Sequence, residues 1–477
     1  MTPIILLATP SVLCLGTRTA PTLCCERLER IVPQADQTAL SKTYCAKSAI
    51  TGAQALVTDG GLRSKPKRRF HVTVYIGIDW SEKKHDLCFL NQVGEVLQTL
   101  TIARTPAGFL ELEQARRRLG VPVEECVVGI ETHHNPLIDF LMERGYTCLY
   151  VLPPNAVKSA RGRYWQSGSK SDLQDAHLIA DMLRTDQAKY HAWVPDRPLT
   201  RQIRARISLI GYLNKEIWQV GNRLRAALVR YYPTALEIFS TLDSPITLAW
   251  IQEYPTPAAG QALNYAEFQD FLRRHRHTQP RKWAACYARL QEAQVCASDE
   301  IVQVYAQEAR LLAQLMIQLV QARLHLLKEV DRLYQKHPEA YIYQSLPGTG
   351  RYLEPALLAM LGEDRERFPT SAILQSLAGT CPVTKQSGKT RYVVFRYSCN
   401  HEFRQIVQQW AKLSIDRSPW AAAYYQKTRP HCHSENEAYR KLANRWLEIL
   451  WRLWQDHQPY NEQKHLSAHA RRSLPKP

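Results

Sequence analysis

The chain has 477 residues and carries 62 Lys and Arg against 44 Asp and Glu, a formal charge of +18. Hydrophobic residues at 45% and charged residues at 22% are ordinary globular values, which excludes collagen-like and wholly disordered readings; at roughly 150 residues per domain the length allows about three domains. No run of about 18 apolar residues occurs, so the basic excess points to nucleic acid and not to a membrane. The 12 cysteines are dilute and form no Cys-x-x-Cys pair, which fits reduced thiols in a cytoplasmic protein. His431, Cys432 and His433, with Cys399 and His401 upstream, match no familiar zinc spacing.

Residues 1–70 stand apart. Ile4 to Leu7 is a short apolar run with no Lys or Arg before it, a poor signal peptide, and the stretch ends in Lys65, Lys67, Arg68 and Arg69 without a sustained period. It reads as a disordered or non-native extension, and function is expected to begin near Val72. There Val72, Val74, Ile76 and Ile78 alternate as one face of a strand, with Tyr75, Gly77 and Asp79 on the other. Strand-like runs at Asp86–Leu90 and Glu95–Ile102, with turn residues Asn91–Gly94 between them, read as an antiparallel meander. Thr105 and Pro106 suit the N-cap and first turn of a helix reaching Leu119, which Gly120 stops. The apolar run Cys126–Ile130 suits a buried strand ending at Glu131, and a helix Pro136–Arg144 capped by Gly145 then leads to a strand Thr147–Leu152. This β-β-β-α-β-α-β order belongs to the ribonuclease H fold.

Next comes Ser171-Asp-Leu-Gln-Asp175. Ser171 suits an N-cap, which puts Asp172 and Asp175 three apart on one helix face. Four converging carboxylates, Asp79, Glu131, Asp172 and Asp175, would repel unless cations neutralised them. Hard oxygen ligands suit Mg2+ or Mn2+, and two such ions about 4 Å apart can activate an attacking oxygen and stabilise a leaving one. The implied chemistry is phosphoryl transfer on DNA or RNA.

Thr200–Arg230 reads as helix, and Arg201, Arg204, Arg206, Lys215, Arg223, Arg225 and Arg230 are placed to track phosphates or simply to form a solvated basic face. Residues 233–280 show no clear period. Arg281–Lys336 contains no proline and reads as one long helix or a hairpin, with Leu311, Leu315, Leu319 and Leu326 as a coiled-coil seam. Leu346-Pro-Gly-Thr-Gly350 is a glycine turn before a helix, where Gly348 and Gly350 can present backbone N–H groups to a phosphate. A last helix, Glu437–Asp456, carries a Leu442, Trp446, Ile449, Leu453 and Trp454 stripe that reads as core.

Three motifs, Gly77-Ile-Asp79, Gly129-Ile-Glu131-Thr and Lys170-Ser-Asp172-Leu-Gln-Asp175-Ala, together with Ala378-Gly-Thr-Cys-Pro-Val-Thr-Lys-Gln-Ser387-Gly388-Lys389-Thr-Arg391, Ser398-Cys-Asn400, Arg404 and the closing Pro459-Tyr460, carry a resemblance. The chain resembles the DEDD transposases, or recombinases, of bridge-RNA-guided insertion sequences, the IS-one-ten group, from about Tyr75 to Tyr460. The resemblance implies a ribonuclease H-like (RuvC-like) α/β domain over 71–232, a helical linker and coiled coil over 233–337, and a mainly α C-terminal transposase domain over 338–462, followed by a basic tail over 463–477. It assigns the metal-binding role to the four carboxylates and the nucleophile to Ser387. Lys170, Arg201, Arg204, Gly348, Gly350, Gly388, Lys389, Arg391, Asn400 and Arg404 are candidate nucleic-acid contacts. Cys399 departs from the family, which commonly has glycine there, and Tyr392, Val393, Val394 and Phe395 thin the basic stretch after Ser387-Gly388.

The expected function is an RNA-guided DNA recombinase of an insertion sequence, cytoplasmic and nucleoid-associated. Donor and target DNA, a noncoding guide RNA and a second or further copies of the chain, as homodimer or homotetramer, are its partners. Two other readings stay open: a structure-specific nuclease such as a junction resolvase using metal-activated water, and a non-catalytic DNA-binding remnant.

Overall fold

A computed structural model describes residues 74–132, 135–163, 171–239, 241–292, 297–463 and 466. The segment 1–70, the candidate Lys170 and the basic tail beyond residue 466 lie outside the described residues. Strands β1 (Val74–Trp80), β2 (Lys84–Leu90) and β3 (Val96–Ala103) form the expected meander, with Gly94 at positive φ in the second turn. Helix α1 (Pro106–Arg118) is capped by Thr105, whose hydroxyl accepts from the Gly108 N–H at 3.1 Å, and Gly120 leaves it at positive φ. Strand β4 (Cys126–Ile130), helix α2 (Pro136–Glu143), strand β5 (Cys148–Val151), helix α3 (Pro154–Ala160) and helix α4 (Asp172–Asp186) follow. The sheet order is β3-β2-β1-β4-β5; β1 pairs antiparallel with β2 and parallel with β4, an arrangement compatible with a ribonuclease H-like domain.

Strand alternation sorts the side chains into two layers. Val74, Ile76 and Ile78 pack with Phe109 and Leu112 of α1 and Leu137 and Leu141 of α2, while Tyr75, Cys88 and Val127 pack with Ala176, Ile179 and Leu183 of α4. Helix α4 comes unusually close. A Cβ on Gly77 would fall 2.0 Å from the Ala176 carbonyl oxygen, and one on Gly129 would fall 2.7 Å from side-chain carbons of Ile179 and Leu183. These glycines are register partners on neighbouring strands, so they form one bare patch on which the helix lies.

Two long helices make the spine of the remainder, α5 (Pro198–Tyr231) and, after the short helices α6 (Ala235–Ile238), α7 (Pro245–Glu253), α8 (Pro257–Gln261), α9 (Tyr265–Arg274) and α10 (Trp283–Gln291), helix α11 (Asp299–Tyr334). The buried residues of α5, Ile203, Ile207, Ile210, Ile217, Leu224, Leu228 and Tyr231, keep three-and-four spacing, as do Val302, Ala306, Ala309, Ala313, Met316 and Val320 of α11. Ile203–Ile210 cluster with Val330 and Tyr334, and Ile217–Tyr231 cluster with Val302–Val320, so the pair is antiparallel and within one chain. Of the expected seam leucines, Leu319 and Leu326 pack against these two cores. Arg281–Lys336 is not one helix, and Leu311 and Leu315 are 62% and 43% exposed. Leucines at four-residue steps drift around a 3.6-residue helix, whereas the true seam runs through small alanines.

The C-terminal region contains α12 (Ala340–Gln344), α13 (Gly350–Leu361), α14 (Ser371–Leu377), a hairpin of β6 (Val383–Ser387) and β7 (Thr390–Val394), α15 (His401–Ser414), α16 (Pro419–Thr428) and α17 (Glu435–Gln455). Its core is built on indoles: Trp410 and Trp446 lie 4.9 Å apart, and their N–H groups donate to the Pro347 carbonyl and the Ser414 hydroxyl. Among the described residues no helix is long and apolar enough to cross a membrane.

A polar joint ties the sheet to this region. Glu363 receives the Arg197 guanidinium at 2.6 and 2.8 Å, the Arg197 backbone N–H at 2.8 Å and the Thr200 hydroxyl at 3.0 Å, while its own N–H donates to Asp196 at 2.7 Å. Arg204 completes it, bridging Asp196 at 2.5 Å and the Ala359 carbonyl at 2.8 Å. Burial pushes the Glu363 carboxyl up, but the donors from Arg197 and Thr200 pull it down to about 2.

Two outcomes follow from this packing. Gly77→Ala must displace α4 and should lower stability by about 3 kcal/mol or more, whereas Gly162→Ala, with nothing within 4 Å of the added carbon, should be silent in thermal denaturation. Glu363 has a folded pKa below its unfolded value, so its contribution is full above about pH 4.3 and disappears as pH falls towards 2. Urea denaturation of Glu363→Gln should show a loss of up to about 3 kcal/mol at neutral pH and a flatter acid limb below about pH 4 than the parent.

Candidate active site

Asp79 and Glu131 follow Ile78 and Ile130, which are register partners, so the two carboxylates stand side by side at the carboxyl ends of parallel strands. Each sits two residues after its glycine, hence on the same face, the one that α4 covers. The helix runs with its N-terminus towards these ends: Ser171 caps it through the Gln174 N–H, and Asp175 is one residue before the Ala176 that touches Gly77. The bare patch therefore sets how close the helical acids come to the strand acids. The positive end of the helix dipole favours negative charge there.

The structure supplies cations to this group. Arg161, beyond α3, holds Asp175 with two parallel bonds of 2.7 and 2.8 Å, and Asp175 is 3% exposed. Its guanidinium is held above its usual pKa first by the hydrogen bond to Asp175, and the charges of Asp175, Glu131 and Asp79 add to this. Arg161 is thus bonded to Asp175 and lies within the field of Asp79 and Glu131. Lys84 makes the second link, 3.0 Å from Asp86 and 3.3 Å from Asp172, and both carboxylates raise its pKa. Asp86 is the direct partner of Asp79 across the β1–β2 pair and accepts from the Thr101 hydroxyl at 2.5 Å. Among the described residues no three His, Cys, Asp or Glu side chains are gathered at metal-binding distance; Asp172 and Asp175 are instead paired to Lys84 and Arg161.

Lys84, Asp86 and Arg161 were not foreseen as part of the site. Asp86 was within reach, since a tight β1–β2 turn forces its register with Asp79. Arg161 carried no periodic signal.

Ser387 closes β6 at the tip of an exposed hairpin whose two-residue turn is Gly388-Lys389; Gly388 has φ +54°, the sign such tight turns demand. Tyr392, Val393 and Val394, which thin the basic stretch in the sequence, are the second strand of that hairpin. Lys389 and Arg391 are exposed beside Ser387. The hairpin belongs to the C-terminal region, whereas the carboxylates stand on β1, β4 and α4. Asn400 caps α15 by accepting from the Phe403 N–H at 2.9 Å, and Gly348 packs against the backbone of Leu413 and Ser414. Gly350 opens α13 at positive φ. Arg201 pairs with Asp139 at 2.6 Å and Arg204 is held in the joint, while Arg206 and Arg223 pair with Glu329 and Glu308. Arg404 lies at the base of the hairpin.

Carboxylates at neighbouring strand ends, with a helix laid across the sheet to add two more, define a site compatible with a ribonuclease H-like DEDD domain. A DEDD transposase profile of the IS110 type matches residues 76–233, and one described as transposase, IS116/IS110/IS902 family, matches residues 340–426. The chain is 31% identical over 406 residues, 82% of its length and 96% of the relative's, to the "Mini-circle putative transposase for IS117" of Streptomyces coelicolor. It is 26% identical over 413 residues, 81% and 97%, to an uncharacterized 42 kDa protein of insertion element IS900 from Mycobacterium paratuberculosis. A 43.6 kDa protein of insertion element IS110 from Streptomyces coelicolor shares 26% identity over 300 residues, 60% of this chain and 71% of that one. The chain belongs to the IS110 family of transposases.

The Arg161–Asp175 pair can be tested in isolation. Arg161→Met leaves a buried carboxylate without its partner and should destabilise the metal-free protein by about 2 kcal/mol. Adding Asp175→Asn should recover most of that loss, and a double-variant cycle in thermal denaturation should return a coupling above about 1 kcal/mol.

Proposed function

We propose that this transposase cuts and rejoins DNA with a divalent-cation site formed by Asp79, Glu131, Asp172 and Asp175 and with Ser387 as nucleophile, guided by a noncoding RNA. The observation that supports the reading is that Asp79 and the residue before Glu131 lie at the carboxyl ends of the paired parallel strands β1 and β4, under the helix whose first turn carries Asp172 and Asp175. The donor set is hard oxygen, which fits Mg2+ or Mn2+, and the positive charge that Arg161 and Lys84 now supply marks the demand for cations there. A divalent ion bound by these residues would neutralise charge at the phosphate undergoing attack.

In the proposed step the Ser387 oxygen bonds to phosphorus as the bond to the leaving strand oxygen breaks. The leaving oxygen departs with the electron pair and takes a proton to become a hydroxyl. The serine proton needs an acceptor, and Lys385, Gln386, Gly388 and Lys389 offer none, so it passes to a carboxylate from outside the hairpin. Gly388 adds no side chain beside Ser387 where DNA must approach. Because Ser387 and the carboxylates lie in different regions of the chain, the complete site joins the hairpin of one copy to the carboxylates of another, as homodimer or homotetramer. Base pairing with the RNA supplies sequence, and the +18 chain supplies backbone affinity.

The test uses a nicked suicide DNA substrate under denaturing conditions. The parent chain should give a labelled protein–DNA adduct that vanishes with Ser387→Ala. Alanine at any of the four carboxylates, or EDTA, should reduce cleavage about a thousandfold or more. Cleavage by Ser387→Ala at the parent rate, with no adduct in either chain, would replace the serine by metal-activated water; full cleavage in EDTA would remove the cation site.

A further inference from the structure

At the foot of the hairpin two guanidinium groups meet on one ring, and neither has an ion pair to a carboxylate among the described residues. The Arg404 and Arg440 guanidinium carbons lie 4.6 and 4.7 Å from the centre of the Phe395 ring, the residue directly after β7. Arg404 donates to the Arg396 carbonyl, and Arg396 donates in turn to the Cys381 carbonyl at 3.3 Å and the Pro382 carbonyl at 3.5 Å. Gly379, at φ +64°, makes the room: a Cβ there would fall 2.3 Å from the Arg404 Nη2. The Arg404 Nε is buried and has no hydrogen-bond partner.

This treatment of arginine is unlike that elsewhere in the chain. Arg161, Arg197, Arg204 and Arg365 each hold a carboxylate within 2.7 Å. Glu437, the acid one helical turn before Arg440, is already engaged by Lys441 at 2.9 Å and by the His433 N–H at 3.0 Å. Burial lowers the Arg440 pKa first; the Glu437 charge opposes this, and the neighbouring Arg404 charge lowers it further. A guanidinium cluster held by a ring and backbone carbonyls keeps its planar donors and its charge for an anion.

We infer that Arg404 and Arg440, stacked on Phe395, with Arg396 bonded beside them through its backbone carbonyl, form a seat for a backbone phosphate of nucleic acid. Residue 382, beside this seat, is five residues from Ser387 along β6, about 17 Å at strand rise. Phosphates of one duplex strand advance about 3.4 Å each along the axis, so the seated phosphate lies roughly five nucleotides from the one that Ser387 faces. That register rests on the serine reading; the seat itself does not.

Binding is therefore measured in a Ser387→Ala background, where the outcome is independent of whether the serine reacts. Fluorescence anisotropy with a duplex DNA and a single-stranded RNA oligonucleotide, each across a salt series, reads the contact. Arg440→Met and Arg404→Met should each weaken binding about tenfold and reduce the salt slope by about 0.9 on duplex or about 0.7 on single strand, and the oligonucleotide that responds identifies the source of the phosphate. Arg440→Lys should keep the slope, and Arg452→Met, whose partner is Asp456, should change neither quantity. Replacing single phosphates by neutral methylphosphonates should erase the difference between parent and Arg440→Met at one position about five nucleotides from the cleavage point. An unchanged slope on both oligonucleotides in folded Arg440→Met and Arg404→Met chains, or an equal loss in Arg440→Lys, would overturn the seat and leave the stack as packing; should the methionine variants fail to fold, Arg396→Met on the strand side of the cluster decides by the same slope. A methylphosphonate effect at a different position would overturn the serine register and leave the seat standing.

Discussion

Helix α4 can lie on the sheet only because Gly77 and Gly129 sit side by side beneath it. Every other feature of the carboxylate site depends on that contact. A side chain at either position would lift the helix by an ångström or more, and Asp172 and Asp175 would rise with it while Asp79 and Glu131 stayed on their strands. The glycine two residues before each strand acid is thus a spacing device: the pleat puts glycine and acid on one face, and the helix that the glycine admits brings the remaining acids to the same end. Close packing also excludes water from Asp175, and so Arg161 must answer its charge until something else does.

The second constraint is mechanical. Helix α5 leaves the sheet domain, runs through the core of the C-terminal region with Ile203, Ile207 and Ile210, and continues into the aromatic cluster around Trp250. Helix α11 returns antiparallel along it. The two helices thus join the C-terminal core to the Trp250 core, and where α5 begins, Glu363 binds Arg197 and Thr200 while its own N–H donates to Asp196, so movement of the sheet against the C-terminal region must break charge-assisted bonds.

Much of this was legible in the sequence where a local rule decides the outcome. The alternation Val74, Ile76, Ile78 gave β1 its faces, and Thr105, Ser171 and Gly120 marked helix ends, because caps and pleats depend on a few neighbouring residues. The motif acids were likewise placed at strand ends before any coordinates. What failed was non-local. The seam of α11 was assigned to large leucines, whereas its partner α5 selects the small alanines at 306, 309 and 313, a choice that only the facing helix can make. The hairpin around Ser387 was missed since five-residue exposed strands leave no apolar alternation to find. Arg161 and Lys84 were invisible for a related reason: an ion pair between distant segments has no period.

The distribution of charge shows why composition alone could name a class of partner but not a surface. A formal +18 suggests many arginines open to a polyanion, yet Arg197, Arg204, Arg206, Arg223 and Arg365 are bound to carboxylates of this same chain. Such residues organise the fold, and their charge is largely cancelled at close range. The informative cations are those that no ion pair engages. Arg404 and Arg440 stack on one ring with no ion pair to an acid among the described residues, so their positive charge is held close together and only partly answered, by the nearby Glu437. The motif acids present the mirror image, since Asp175 is paired to Arg161 and Asp172 to Lys84. One group of charges is answered by ion pairs within the chain and the other is not, and that difference, which the net charge does not record, is what marks a surface as open to a counter-ion.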